Sequence, residues 1–98
     1  MTQLTPHFTL EELTHTDHRE FENVPTEKER CQLVKNGPYV EINAVANLPR
    51  LANFLEQVKV ILGNKAIIVN SAFRSHDVNT AVGSADHSDH RRGCAADI

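Results

Sequence analysis

The sequence predicts an α+β domain in which helices pack on one face of a small antiparallel sheet. Helical patterns come first along the chain, and two strand-like stretches, residues 66–71 and 94–98, come last. The length of 98 residues allows one small domain, residues 1–98. Because a two-stranded sheet is only marginally stable alone, we expect this domain to be incomplete and part of its sheet to lie beyond Ile98.

The first helix is predicted at residues 8–13. Thr9 and Glu12 have the spacing of a capping box, and Phe8 precedes the cap, where a hydrophobic staple forms. We expect this helix to be short and the polar residues 17–23 after it to form a loop.

A second capping-box pattern, Thr26 to Glu29, predicts another helix. It would continue through residues 30–35 and end at the stop signal Asn36-Gly37-Pro38.

The strongest helical pattern covers residues 48–62. Asn47 could cap this helix, Pro49 is tolerated in a first turn, and Gly63 follows the end. Whether residues 40–46 add an earlier helical stretch, with a kink at the proline, stays open. Apolar residues recur at spacings of three and four, and Phe54 and Ile61 widen the stripe that begins with Leu48, Leu51, Leu55, Val58 and Leu62.

The last third of the chain predicts strand, helix and strand. Residues 66–71 form a β-branched run of strand length. Ser75 can cap a short helix over residues 77–82, which Gly83 would end before a polar loop. Residues 94–98 read as the second strand. Alternation along it places Asp97 and Ala95 on one face and turns Cys94, Ala96 and Ile98 toward the core.

Composition and charge exclude several classes of function. The net charge is −3 and no basic stripe is present, so we expect no nucleic-acid partner and no membrane partner. The longest apolar run, residues 66–69, is far too short to span a bilayer. The N-terminus has no secretory pattern, and the two cysteines are expected to be free thiols of a protein made in the cytoplasm. We expect a monomer.

The most informative pattern is Ser88-Asp89-His90 followed by Asp97. A neutral imidazole nitrogen and a carboxylate oxygen are both good zinc ligands, and here they flank a glycine and a run of small residues. A catalytic zinc ion normally takes three protein ligands and one water. The pattern therefore predicts half of a metal site.

Two segments together resemble a known family. Residues 70–79, Asn-Ser-Ala-Phe-Arg-Ser-His-Asp-Val-Asn, resemble the Ser-Gly-Tyr-Arg-Ser-x-x-x-Asn segment of the zinc D-Ala-D-Ala carboxypeptidases and dipeptidases, cell-wall peptidases that share a fold core with the hedgehog signalling domain. Residues 88–98 resemble that family's Ser-x-His-x-x-Gly-x-Ala-x-Asp motif without a gap. Residues 8–13 resemble the opening of its short, phage-encoded branch. Ala72 and Phe73 stand where Gly and Tyr are commoner.

The resemblance implies a Zn²⁺ enzyme that hydrolyses peptidoglycan stem peptides with metal-activated water, as a D-Ala-D-Ala carboxypeptidase or an L-Ala-D-Glu endopeptidase. It implies that His90 and Asp97 are zinc ligands. It gives Arg74 a catalytic role, in stabilising charge on the scissile carbonyl or anchoring substrate. It implies that Ser88 hydrogen-bonds substrate near the metal.

The family's third zinc ligand, a His in a later Trp-x-His segment, and its acidic general base match nothing in residues 1–98. We expect both beyond Ile98, so that the 98-residue chain is an inactive fragment with weak zinc affinity and its parent is the active peptidase. Family habit further predicts a phage endolysin or virion component that reaches the cell wall after release, without a signal peptide.

Other interpretations remain open. The fold could serve as a non-catalytic binding module or a phage structural module, or another chain could complete the site. Less favoured patterns are a metal pair of His87 with His90, a metal pair of His15 with His18, and a nucleophilic pair of Cys94 with His90.

Overall fold

The computed structural model describes residues 2–27, 29–32, 34, 36–84 and 88–98. The strands form two antiparallel pairs, β1 with β2 and β3 with β4. The α+β class is therefore confirmed, but the described strands form two small sheets instead of one sheet with helices on one face. In chain order the elements are β1 (Gln3–Thr5), β2 (Phe8–Thr9), α1 (Leu10–Leu13), β3 (Glu29–Gln32), β4 (Tyr39–Ile42), α2 (Ala44–Ile61), α3 (His76–Ala81) and a 3₁₀ helix (Asp89–Arg92).

The short helix α1 begins as its capping box predicts. The Thr9 side chain accepts a hydrogen bond from the Glu12 backbone N–H at 3.2 Å, and the Glu12 carboxylate accepts one from the Thr9 N–H at 3.2 Å. Phe8 is buried beside the cap and belongs to the same core cluster as Leu13. Residues 17–23, all described, contain no helix or strand, as predicted.

Strand β3 lies where a helix was predicted over residues 26–35, so that prediction is wrong. Asn36 adopts a left-handed φ of 62°, and the Gly37 N–H donates to the Val34 carbonyl at 3.0 Å, which turns the chain back. The capping-box pattern is a local signal that depends on only two side chains. All four residues of β3 are in register with β4, and Cys31 in this strand is buried, and this outweighs the local signal.

Helix α2 begins earlier than predicted. Asn43 is its N-cap, and the Asn43 side chain accepts a hydrogen bond from the Ala46 N–H at 3.1 Å. The predicted cap Asn47 lies inside the helix instead, and so does Pro49. Of residues 40–46, which the sequence left open, the first part is strand β4 and the last part is helix.

One face of α2 packs on the core, but that face is narrower than predicted. Phe54 and Ile61 are exposed and do not widen it. No helix within the described ranges has both the length and the apolar character needed to cross a membrane. The buried residues of α2 are Ala44, Leu48, Leu51, Ala52 and Leu55.

The two predicted strands near the C-terminus are reduced to a single bridge. Ser71 and Asp97 form an isolated antiparallel bridge, in which the Asp97 N–H donates to the Ser71 carbonyl at 2.6 Å. Val69 is buried while Ile68 is exposed, so the side chains alternate as on a strand. No described strand pairs with residues 66–69, and without a partner their extended backbone does not become part of a sheet.

Helix α3 agrees with its prediction. The Ser75 side chain caps it by accepting a hydrogen bond from the Val78 N–H at 3.4 Å, and Gly83 follows the helix with a φ of 78°. The core that joins these elements consists of Phe8, Leu13, Ala44, Leu48, Leu51, Ala52, Leu55, Val69, Ala72 and Phe73. Ala72 and Phe73, the last two core residues in the sequence, directly precede Arg74.

Candidate functional site

The 3₁₀ helix Asp89–Arg92 positions His90. The Ser88 hydroxyl is its N-cap and accepts a hydrogen bond from the His90 backbone N–H at 3.3 Å. Gly93 ends the helix with a φ of 70°, which a residue with a Cβ rarely adopts. A Cβ at Gly93 would also lie 3.2 Å from the Leu48 side chain and 3.3 Å from the Ala44 carbonyl. A glycine therefore lets this loop pack closely against α2.

His90 and Asp97 come together as the sequence predicts. The Nε2 atom of His90 lies 3.5 Å from the Oδ2 atom of Asp97. The Nδ1 atom of His90 lies 2.6 Å from the Ala72 carbonyl oxygen. A carbonyl can only accept, so Nδ1 carries a proton, and in the neutral imidazole Nε2 is then the nitrogen with the lone pair that a metal could take.

This geometry fits a shared metal ion. Two tetrahedral zinc ligands, each about 2.0–2.2 Å from the metal, lie about 3.3–3.6 Å apart. The bond from Nδ1 to a backbone carbonyl is the second contact that orients most metal-binding histidines. The His90 side chain is 12% exposed and that of Asp97 is 65% exposed, so the pair opens to solvent on the side of the carboxylate.

Arg74 lies next to this pair. The Arg74 backbone N–H donates to the His90 carbonyl at 3.0 Å, and its Nη2 atom donates to the Ser88 hydroxyl at 3.3 Å. Burial lowers the pKa of the Arg74 guanidinium below its ordinary value, and the negative charge of Asp97 acts in the opposite direction. The guanidinium remains charged at neutral pH because the ordinary pKa of arginine lies far above neutrality. All four residues that the motifs single out are thus brought together.

A cavity of about 180 Å³ opens beside Arg74. One wall is the loop after α1, with His15, Thr16, Asp17 and His18. The rest of the lining comes from the segment before Arg74, from α3 and from the residue after it, with Asn70, Ser71, Val78 and Val82. Charged and hydrogen-bonding groups therefore line a space large enough for a small part of a peptide.

The described residues do not contain a complete metal site. Within the described ranges no group of three or more His, Cys, Asp or Glu side chains comes together to hold a metal ion. His15 and His18 interact with different carboxylates, Asp17 at 3.5 Å and Glu20 at 3.2 Å, which gives no support to their pairing on a metal. The pairing of His87 with His90 cannot be placed, because His87 lies outside the described residues.

Cys94 is exposed, so its predicted burial in the core is wrong. Ile98 is exposed as well. The alternation that predicted two faces requires a regular strand, and only Asp97 of this stretch forms a bridge. The Cys94 sulfur lies 3.7 Å from the Arg92 carbonyl oxygen. Neither cysteine forms a disulfide, as predicted, and Cys31 is the buried one.

Two residues that the motifs do not include also support the site. Asn23 binds the backbone on both sides of Arg74, and Arg91 is a buried charge directly after His90. Their partners lie about 50 to 60 residues away in sequence, so no spacing reveals them. The only sequence signal for Asn23 is its type, since an amide side chain can both donate and accept in a loop.

The fold and the site together define a small α+β domain with a His–Asp pair suited to a metal and an arginine beside it. The chain belongs to the Peptidase M15 family, whose model matches residues 6–98. It is therefore a member of a peptidase family whose enzymes are in general zinc-dependent. A search of curated proteins and a search of solved structures found no significant match.

Proposed function

We propose that this protein is a zinc metallopeptidase domain that acts on peptidoglycan stem peptides. Membership of the Peptidase M15 family supports peptidase chemistry. The observation that carries the zinc assignment is the separation of 3.5 Å between His90 Nε2 and Asp97 Oδ2, with the His90 tautomer set by the Ala72 carbonyl. The bond cleaved would be D-Ala-D-Ala or L-Ala-D-Glu.

His90 and Asp97 would hold the zinc ion. When bound, the ion would supply Lewis acidity and lower the pKa of a bound water toward about 7. The Ala72 carbonyl keeps His90 in the tautomer that can bind metal. Asp97 is held by its own backbone bridge to Ser71, which fixes the point from which its carboxylate extends.

Arg74 and Ser88 would bind the substrate. Arg74 lines the cavity and its guanidinium stays positively charged, so it can hold a peptide carboxylate or the oxygen of the scissile carbonyl as negative charge develops there. Ser88 accepts from Arg74 and from the His90 N–H, and its own O–H remains able to donate to a substrate oxygen.

The described residues supply two zinc donors, and a catalytic site needs a third protein ligand. We therefore propose that residues 1–98 alone bind zinc weakly and do not turn over substrate. The same observation favours a second candidate function, a binding module that keeps the fold without catalysis. The two functions differ in whether a longer parent chain or a second chain restores zinc-dependent hydrolysis.

Zinc binding to the 98-residue chain tests the assignment. We expect His90→Ala and Asp97→Ala each to weaken zinc binding by at least about 100-fold, because even an outer partner of a ligand is worth about 10–100-fold. His76→Ala, on the exposed start of α3, is the control and should leave the affinity unchanged. The measurement is calorimetric titration with ZnCl₂, together with an anomalous-difference map at the zinc edge from soaked crystals.

A zinc peak away from His90 and Asp97, or unchanged affinity in both variants, would contradict the metal assignment. Zinc-dependent release of alanine from stem peptides by the 98-residue chain would contradict its proposed inactivity and the binding-module alternative together.

A further inference from the structure

The segment that carries Arg74 is held along both of its edges. On one edge, the Arg74 N–H donates to the His90 carbonyl at 3.0 Å, and the His90 ring lies 2.6 Å from the Ala72 carbonyl. On the other edge, the Asn23 side chain donates to the Phe73 carbonyl at 3.0 Å, and its oxygen accepts from the Ser75 N–H at 2.7 Å. The backbone is therefore fixed immediately before and after Arg74.

The side-chain amide of Asn23 makes the two hydrogen bonds to the Arg74 segment that a neighbouring parallel strand would make. In a parallel pair, one residue of a strand bonds to the C=O before and the N–H after its partner residue. Asn23 satisfies the same two groups around Arg74 with its side chain alone. Its orientation is fixed by its partners, since both groups next to Nδ2 are carbonyls and the group next to Oδ1 is an N–H.

Asn23 also closes the loop that faces the arginine. Its Nδ2 donates a second hydrogen bond, to the Thr14 carbonyl at 2.8 Å, so the loop from Thr14 to Asn23 is closed at its base. The neighbouring Glu22 carbonyl accepts from the Ser75 hydroxyl at 2.8 Å. This loop carries His15 and His18, which line the same cavity as Arg74.

We propose that Asn23 is a positioning residue, which holds the Arg74 backbone and the loop Thr14–Asn23 at a fixed distance from each other. It thereby sets the width of the cavity that receives the negatively charged end of the peptide. The inference rests on the proposed function in so far as the guanidinium is the group that binds substrate. Asn23 itself acts through Arg74. Three hydrogen bonds from one amide leave no freedom for the segment to shift relative to the loop.

The test compares Asn23→Ala and Asn23→Asp with the control Asn43→Ala in the 98-residue chain. Asn43 caps α2 by accepting one hydrogen bond from the Ala46 N–H, and this cap does not involve the Arg74 segment. The first readout is hydrogen exchange at the Ser75 amide, relative to the Leu55 amide in α2. The second is the NMR shift of the Arg74 amide during titration with D-alanyl-D-alanine.

In Asn23→Ala we expect the Ser75 amide to exchange at least tenfold faster relative to Leu55, and dipeptide binding to weaken at least fivefold. Asn23→Asp keeps the acceptor for the Ser75 N–H and loses both donors, so it should retain Ser75 protection yet weaken binding. Asn43→Ala should change neither ratio. A general loss of stability would speed exchange at both amides and would appear in the control as well.

Unchanged relative protection of Ser75 in Asn23→Ala would overturn the proposal, as would equal weakening of binding by Asn43→Ala. If the wild-type chain does not bind the dipeptide at all, the proposed substrate role of Arg74 is contradicted. The exchange ratio then still decides whether Asn23 positions the segment.

Discussion

Arg91 is a buried charge that ties the candidate metal loop to β3. It is 2% exposed, its Nη2 atom lies 3.2 Å from the Glu29 carboxylate, and its Nη1 atom donates to the Arg30 carbonyl at 3.2 Å. Arg92, the next residue, pairs with Asp89 within the same 3₁₀ helix and is 32% exposed. Two adjacent arginines thus offer a matched comparison of a buried and a more exposed ion pair.

Arg91→Ala is expected to lower the free energy of unfolding by about 2 kcal/mol, because it removes a buried side chain and its charge-assisted hydrogen bonds, although the Glu29 side chain left behind is 31% exposed. Arg92→Ala should lower it by less than about 1 kcal/mol, as is usual for solvent-exposed pairs. Urea denaturation followed by circular dichroism measures both values. An equal decrease in the free energy of unfolding in the two variants would show that the buried Arg91 contributes no more to stability than the more exposed Arg92.

At the scale of residues, the motifs named four residues that lie together in the structure, but they did not name the residues that hold them in place. His90, Asp97, Arg74 and Ser88 lie together because their motifs place them on one loop and one neighbouring segment. Asn23 was assigned only to a loop, since its contacts are to backbone groups whose position depends on the whole fold. A sequence motif indicates the residues that carry the chemistry of a site. Long-range contacts to the backbone have no fixed spacing in the sequence, so they cannot be predicted from it.

At the scale of elements, capped helices were predictable and strands were not. The capping residues Thr9 and Ser75 act on backbone groups within the next three residues, so their signals are local. Strand β3 depends on a partner across a turn, and the local capping-box pattern at Thr26 was misleading. The stretches 66–71 and 94–98 have strand composition, but a strand also needs a paired neighbour along its length.

Pro49 lies inside α2 and deprives the helix of one backbone hydrogen bond, since proline has no N–H. We expect Pro49→Ala to raise the free energy of unfolding by about 2 kcal/mol, which is the interior cost of proline less the entropy it removes from the unfolded chain. Gln57→Ala, on the exposed side of the same helix, should change it by less than about 0.5 kcal/mol.

Thermal and urea unfolding of both variants tests this prediction. A destabilised Pro49→Ala variant would show that the proline ring contributes packing or a bend that α2 needs.

At the scale of the whole molecule, the N-terminal hairpin is attached to α2 through apolar and polar contacts. Phe8 and Leu13 meet Leu48 and Leu55 in one core, which holds the β1–β2 hairpin and α1 against the long helix. The turn between β1 and β2 adds a polar contact. His7 donates its backbone N–H to the Glu56 carboxylate at 2.8 Å, and its Nδ1 lies 2.6 Å from the other carboxylate oxygen.

Stability in acid should depend on this contact. Partial desolvation raises the pKa of Glu56. The hydrogen bonds from the Thr5 hydroxyl and from the ring and backbone of His7 lower it by a larger amount, so the pKa of Glu56 lies below its ordinary value in the folded protein. The unfolded chain therefore binds a proton at Glu56 more readily than the folded chain does. The contribution to stability is complete above the ordinary carboxyl pKa of about 4.3 and is lost as the pH falls through the lower, folded pKa.

Glu56→Gln removes this titration. We expect the wild-type protein to be the more stable at pH 6 and the difference in the free energy of unfolding to shrink steadily below about pH 4. A double-mutant cycle with His7→Ala, measured by urea unfolding at each pH, isolates the coupling between the two side chains. Coupling that persists undiminished at the acid end would mean that the hairpin is held to α2 by packing, with the carboxylate contributing no pH dependence.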